Sequence, residues 1–287
     1  MKTNKNKNNN LKMQLLQPSY YKAFAGHNLA FYESTGAGET VLLVHGNSSN
    51  AGNFINQLTS ELGKKHRLVA FDFPGCGNSP FSGEPEKTYS FFGLAQLLSE
   101  IIVSLNTPCW LVGHSLGSNA VLYAAMKNAA HIKGYFLSGL LLVDKVEELG
   151  QAALPNPIMG LFYQENLTKL ERETLAKAGF FNPDHEAIAS VSEGLAITDP
   201  LLRSGIASSI GNPHTFIGHK QFLLSNKLPV ALVEGSHDPF ISREYLEKQE
   251  IPTLWQNKIQ VIGNAGHYPH LENPGVLNTL LEQFIGQ

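Results

Sequence analysis

The stretch CWLVGHSLGSNAV, from Cys109 to Val121, constrains this 287-residue chain more than any other. Trp110-Leu111-Val112 is an apolar run of the kind a buried strand shows. Ser118 to Met126, through Leu122, Ala124 and Ala125, reads as a helix. Ser115 therefore stands at a strand-to-helix turn, inside the G-x-S-x-G pattern Gly113-His114-Ser115-Leu116-Gly117. A reversal within so few residues forces the turn residue into strained backbone angles. Strand and helix crowd its neighbours, and Gly113 and Gly117 supply the space. The turn lifts a serine oxygen clear of the sheet at a helix N-terminus, where free N–H groups suit a developing oxyanion.

A turn of this kind is followed in chain order by an acid and then a histidine. Lys227 to Val233 reads as a short apolar strand, and Gly235-Ser236-His237-Asp238-Pro239 as its turn. Asn257 to Ile262 reads as the next strand, with His267 in the loop after it, between Gly266 and Tyr268-Pro269. The chemistry needs all three groups. The histidine takes the serine proton, and the carboxylate fixes the imidazole tautomer and stabilises its charge. Each alone has a plain alternative: an aspartate after a strand is ordinarily a turn or cap residue, and a lone histidine is ordinarily polar surface. Their joint occurrence, in order and each at a strand's C-terminal end, selects Ser115, Asp238 and His267. Val41 to Val44 reads as a further buried strand, followed by His45-Gly46-Asn47-Ser48. An oxyanion hole needs a backbone N–H from this loop and one from the residue after the serine, which assigns Asn47 and Leu116. An ordinary glycine turn is the alternative for the first.

Together these segments resemble the α/β-hydrolase superfamily, over Tyr20 to the C-terminus. The landmarks are His45-Gly46, FDFPGCGNS at Phe71 to Ser79, GHSLG, GSHDP at Gly235 to Pro239 and GHYPHLENP at Gly266 to Pro274. The chain is similar to the branch that holds esterases, C–C bond hydrolases and cofactor-free haloperoxidases. Dehalogenases and epoxide hydrolases of this fold use an aspartate where Ser115 stands. Many C–C hydrolases and perhydrolases have methionine and paired glycines after the serine, whereas this chain has Leu116 and Gly117-Ser118. The resemblance implies a mostly parallel eight-stranded α/β sheet, covered by helices on both faces, with an α-helical cap inserted after the sixth strand. Some members place the triad acid after that strand, which makes Asp144 a second candidate.

The order of elements agrees. Tyr20 to Phe24 and Leu29 to Glu33 read as short strands joined at Gly26-His27-Asn28. A helix runs through Phe54, Leu58 and Leu62, and His66 to Phe71 is a strand. Phe91, Leu94, Leu98, Ile101 and Leu105 mark one helical face. Tyr135 to Val143 reads as a strand ending at Asp144. Asn273-Pro274 opens a C-terminal helix with Leu277, Leu280, Leu281 and Phe284 on one face. Alternating strands and helices mean a parallel sheet, here after an antiparallel opening, with ligands beyond the strands' C-terminal ends. Residues 145–226 break the alternation, with helical pieces at Leu167 to Ala178 and Glu186 to Leu195. The expected division is a disordered tail at 1–17, a core of 18–144 and 227–287, and a cap of 145–226. Within the cap, Phe162, Tyr163, Phe180 and Phe181 are the candidates for a substrate pocket, with Leu154, Met159, Leu161 and Phe216 as further choices. The alternative for each is the cap's own small core.

Composition narrows the rest. With 43% hydrophobic and 16% charged residues a sizeable core is available. A net charge of −3 and a pI near 6.4 give no electrostatic reason to expect nucleic acid or an anionic membrane as partner. MKTNKNKNNN is polar and precedes no apolar stretch, so it does not read as a secretory signal. No run approaches a membrane span. In the inferred fold Cys76 follows the end of one strand and Cys109 begins another parallel strand, and a strand of this size is about 17–20 Å long, beyond disulfide reach. Both are expected reduced, Cys76 in packing rather than reactivity, and the protein cytoplasmic. No metal-ligand spacing or dinucleotide loop appears, and no cofactor is expected. The expected activity is hydrolysis of a small or medium carboxylic ester through an acyl-enzyme. C–C, lactone or thioester hydrolysis, perhydrolysis, and ligand reception on an intact hydrolase site are the rivals, since one fold serves them all.

Overall fold

The computed structural model describes residues 16–212 and 214–287. Most of the expected tail lies outside the described residues. Leu16 is described, and its carbonyl accepts from Asn78 Nδ2 at 3.0 Å. The strands are β1 (Tyr20–Phe24), β2 (His27–Glu33), β3 (Thr40–Val44), β4 (Arg67–Phe71), β5 (Cys109–His114), β6 (Ile132–Ser138), β7 (Val230–Gly235) and β8 (Gln260–Ile262). They form one 8-stranded sheet in the order β1-β2-β4-β3-β5-β6-β7-β8. β1 pairs antiparallel with β2, and β2 with β4. The other pairings are parallel.

Strands β3, β5 and β7 are buried at every position, as expected for sheet covered on both faces. On one face Leu42, Leu111, Leu137 and Leu232 join the helices Phe91–Ser104 and Leu116–Asn128 in a large core. On the other, Leu43, Val112, Phe136 and Val233 pack against Leu277, Leu281 and Phe284 of the C-terminal helix Pro274–Ile285.

Several boundaries differ from expectation for local reasons. The hairpin turns at Ala25 and Gly26, with φ of 46° and 83°, so β2 starts at His27. Two consecutive positive φ values are what a two-residue hairpin requires. The stretch through Phe54 and Leu62 is three pieces, Ala51–Phe54, Ile55–Leu58 and Glu61–Lys65. β6 stops at Ser138 rather than Asp144, because Gly139 turns left-handed at φ 62°. Leu140, Leu142 and Val143 are apolar because they are buried loop. β7 begins after Pro229, which lacks the N–H a ladder needs. β8 is short because Gln256 and Asn257, at φ 55° and 54°, cannot continue a strand.

Among the described residues, the chain between β6 and β7 makes helices and no strand. Helices Lys169–Ala178 and Ile188–Ile197 build a separate small core with Leu175, Phe180, Val191 and Leu195, which takes in Tyr268 and, from the short helix Pro269–Glu272 that follows it, Leu271. Helices Pro200–Ile210 and His219–Ser225 instead send Leu202, Ile206 and Leu223 into the large core.

Candidate active site

Ser115 follows the last residue of β5 and precedes the helix Leu116–Asn128. Its φ is 55°, the left-handed region that a side chain rarely occupies. The flanking glycines are obligatory on contact grounds. A Cβ on Gly113 would lie 2.6 Å from Ser118 Cα, and one on Gly117 would lie 2.2 Å from the Val44 carbonyl oxygen. The Ser115 N–H donates to the Ser138 carbonyl at 2.8 Å, which ties the turn to the end of β6. His114 and Leu116 are buried, whereas Ser115 keeps partial exposure.

Asp238 and His267 meet. His267 Nδ1 donates to Asp238 Oδ2 at 2.7 Å, with both side chains almost wholly buried. The other carboxylate oxygen accepts from the N–H groups of Phe240 at 2.8 Å and Ile241 at 3.1 Å. With the proton on Nδ1, the lone pair of His267 is on Nε2. The ring lies over Gly139, where a Cβ would sit 2.7 Å from Cε1. It also meets the Phe240 ring edge-on at 5.1 Å. The His267 carbonyl accepts from His114 Nε2 at 2.7 Å, so the loop is also anchored one residue before Ser115. Asp144 is engaged elsewhere: its Oδ1 accepts from the Lys220 N–H at 2.9 Å.

The loop after β3 closes on the same point. A Cβ on Gly46 would lie 3.2 Å from Ser115 Cβ, tighter than an ordinary contact, so the loop passes close to the serine. Phe73 N–H donates to His45 Nε2 at 3.0 Å, and His45 Nδ1 donates to the Gly46 carbonyl at 2.8 Å. Burial holds the His45 pKa down at about 4, which keeps the ring neutral and able to accept. Asn47, partly exposed among buried neighbours, donates through Nδ2 to the Phe162 carbonyl at 3.1 Å. Leu116 opens its helix, where the first N–H groups have no intrahelical acceptor.

The four aromatics fall in different places. The Phe162 ring stands 5.2 Å from that of Phe240, which in turn covers His267. Tyr163 packs against the large core. Phe180 is buried in the small core beside Tyr268, at 4.9 Å. Phe181 is exposed, its ring tilted against that of His237 at 4.4 Å. Phe216 is buried in the large core against Phe91. A cavity of about 590 Å³ lies on the two small-core helices, beside Arg172 and Glu193. One of about 140 Å³ lies beside Tyr123 and Ile217. Ser115 lines neither, and convergent polar groups rather than volume mark the site.

Some contributors carry no sequence pattern of their own. Glu272 accepts from the N–H groups of Gly266 at 2.6 Å, Phe181 at 2.8 Å and Asn182 at 3.2 Å. It thereby joins the His267 loop to the small-core helices. The His267 N–H donates to the Gly179 carbonyl at 2.6 Å. Gly139 and Phe240 shape the space around the imidazole. Cys76 and Cys109 are buried and unpaired, and burial pushes the thiols up, that of Cys109 to about 12. That environment suits packing.

A family model described as the alpha/beta hydrolase family matches residues 41–280. The chain belongs to the α/β-hydrolase family. It is 35% identical over 261 residues to the pimeloyl-[acyl-carrier protein] methyl ester esterase of Aeromonas hydrophila, covering 88% of this chain and 98% of that one. Among solved structures, it is similar to a variant of the N-acyl homoserine lactonase AidH complexed with N-hexanoyl homoserine lactone. The TM-score is 0.83 and the identity 29%, over 95% of this chain and 96% of that one. The esterase EaEST from Exiguobacterium antarcticum, at 16% identity and a TM-score of 0.77 over 94% and 100%, shares the fold alone. As a family member with such relatives, the protein is a hydrolase of α/β fold.

Proposed function

We propose that this hydrolase cleaves small or medium carboxylic esters, with Ser115 as nucleophile. The hydrogen bond from His267 Nδ1 to Asp238 at 2.7 Å is the observation that carries the reading, because it leaves Nε2 free to accept the serine proton. In this reading Ser115 Oγ attacks the ester carbonyl as its proton passes to His267. The N–H groups of Leu116 and Asn47 hold the oxyanion, and the alcohol departs with the proton from His267. Water, activated by the same imidazole, then releases the acid. Asp238 orients the ring and stabilises the imidazolium.

Residues 145–226 act in this proposal as a cap over the strand ends. The Asn47–Phe162 and Glu272–Phe181 hydrogen bonds support it, since they join the segment to both sides of the site. Phe162, whose ring stands 5.2 Å from that of Phe240, is the proposed acyl-chain contact, with Tyr163 next to it in the chain. Two unpaired buried cysteines fit a reducing compartment, and the cytoplasm is the proposed location. No helix among the described residues is long and apolar enough to cross a membrane.

A second reading, hydrolysis of an internal ester, is favoured by the similarity to a lactonase over 95% of the chain. The chemistry is the same, with the leaving alcohol still tethered. A panel of p-nitrophenyl esters of graded chain length, N-acyl homoserine lactones and thioesters separates these. The first reading expects the highest kcat/KM on acyclic esters. Preference for lactones by tenfold or more selects the second. Tight binding without turnover would instead mark a receptor.

A further inference from the structure

Arg203, in the helix Pro200–Ile210, is 2% exposed, on a face it shares with Leu202 and Ile206. The hydrogen bonds of its guanidinium go to neutral acceptors. Nε donates to the Gln164 carbonyl at 2.7 Å, and Nη2 to the Glu165 carbonyl. Nη1 donates to the Leu195 carbonyl at 3.3 Å and to Ser48 Oγ at 3.4 Å. Burying a cation against dipoles costs desolvation that a carboxylate would better offset. A guanidinium stays charged regardless, and its planar fork suits several fixed acceptors at once.

The acceptors are connected. Ser48 Oγ donates to Asn47 Oδ1 at 3.1 Å, and Asn47 Nδ2 donates to the Phe162 carbonyl at 3.1 Å. Phe162 lies two residues before Gln164, so the path returns to Arg203. The circuit encloses Ser48, whose φ of 50° is left-handed. The helix Ile188–Ile197 closes over the same turn: a Cβ on Gly194 would lie 3.4 Å from the Ser48 carbonyl oxygen. A strained turn persists only where its surroundings over-determine it.

We infer that Arg203 is a positioning residue, holding the Asn47–Ser48 turn so that the Asn47 N–H faces the oxyanion formed at Ser115, and locking that turn to the segment that carries Phe162. The inference rests on the proposed roles of Ser115 and Asn47. A residue that merely held the helices together would change KM or thermal stability. One that sets an oxyanion donor changes the chemical step, because small misplacements of such a group cost rate.

The test uses the full chain as wild type, Arg203→Met and Ser48→Ala. Four quantities are measured: kcat and KM on p-nitrophenyl acetate, the rate of Ser115 phosphonylation by a fluorophosphonate, and the Tm. In Arg203→Met, kcat and phosphonylation should both fall roughly ten- to a hundredfold with KM unchanged. Ser48→Ala, which removes one link and leaves the carbonyl contacts, should fall in the same direction by less. If Arg203→Met does not fold, Ser48→Ala decides alone. Wild-type kcat and phosphonylation in a folded variant, or a loss confined to KM, overturns the inference. Failure of the proposed function looks different: wild-type protein would take no adduct on Ser115, and the inference would fall with it.

Discussion

At Ser115 the backbone contributes as much as the side chain. A φ of 55° is tolerable only because the turn is held by Gly113, Gly117 and the bond to Ser138. Asp238→Asn should lower kcat by about 10⁴ with little change in fold, because the amide holds the wrong imidazole tautomer. Asp144→Asn should cost far less, since Asp144 serves the Lys220 N–H. Steady-state kinetics of the two variants checks this, and the reverse ranking would identify the other carboxylate. Gly139→Ala should also depress kcat, because its Cβ would lie 2.7 Å from His267 Cε1. The pairing of Asp238 with His267 was legible in the sequence, because both residue types stand in loops at strand ends. The structure brings the two together at 2.7 Å. Gly139 and Phe240 were not legible, since they act through shape that no residue pattern announces, and Glu272, though inside GHYPHLENP, gave no sign of the backbone groups it holds.

At the scale of elements, alternation carried the sheet well, and boundaries were lost where apolar residues had another use. Leu140, Leu142 and Val143 look like strand but are buried loop after a left-handed glycine. Two helices after β6, Lys169–Ala178 and Ile188–Ile197, were legible as helices, whereas Pro200–Ile210 and His219–Ser225 were not, and helical periodicity does not say which core a face meets. That difference separates the four aromatics. Phe180→Ala should cost about 3–5 kcal/mol of stability by emptying the small core. Phe181→Ala, at an exposed position, should leave Tm nearly unchanged. Phe162→Ala should shift the preferred ester by a carbon or more, since an apolar contact discriminates by about 1–3 kcal/mol per methylene. Acetate ester turnover should change little. Thermal melts and chain-length profiles of Phe162, Tyr163, Phe180 and Phe181 alanine variants check the set. A wild-type profile in a folded Phe162→Ala would remove that residue from the pocket.

For the whole molecule, buried histidines set the acid limit. Burial holds His45 and His219 at about 4 and His270 at about 3, and keeps His114 well below its usual value. Their pKa values are depressed from 6.5, so the stability they contribute is complete above 6.5 and is lost as pH falls towards 4. Burial raises Asp72 to about 6 and Glu234 well above its usual range, which acts in the opposite direction. The histidines dominate in number, and the Tm should fall steadily between about pH 6.5 and 4. A flat Tm across that range would contradict neutral burial. The proposed reaction passes through a covalent intermediate at one serine. The direct measurement is peptide mass mapping after fluorophosphonate treatment, alongside ester hydrolysis by Ser115→Ala. A single adduct, on Ser115, and loss of hydrolysis in the variant are expected. An adduct elsewhere, or hydrolysis unchanged in Ser115→Ala, would contradict that reaction.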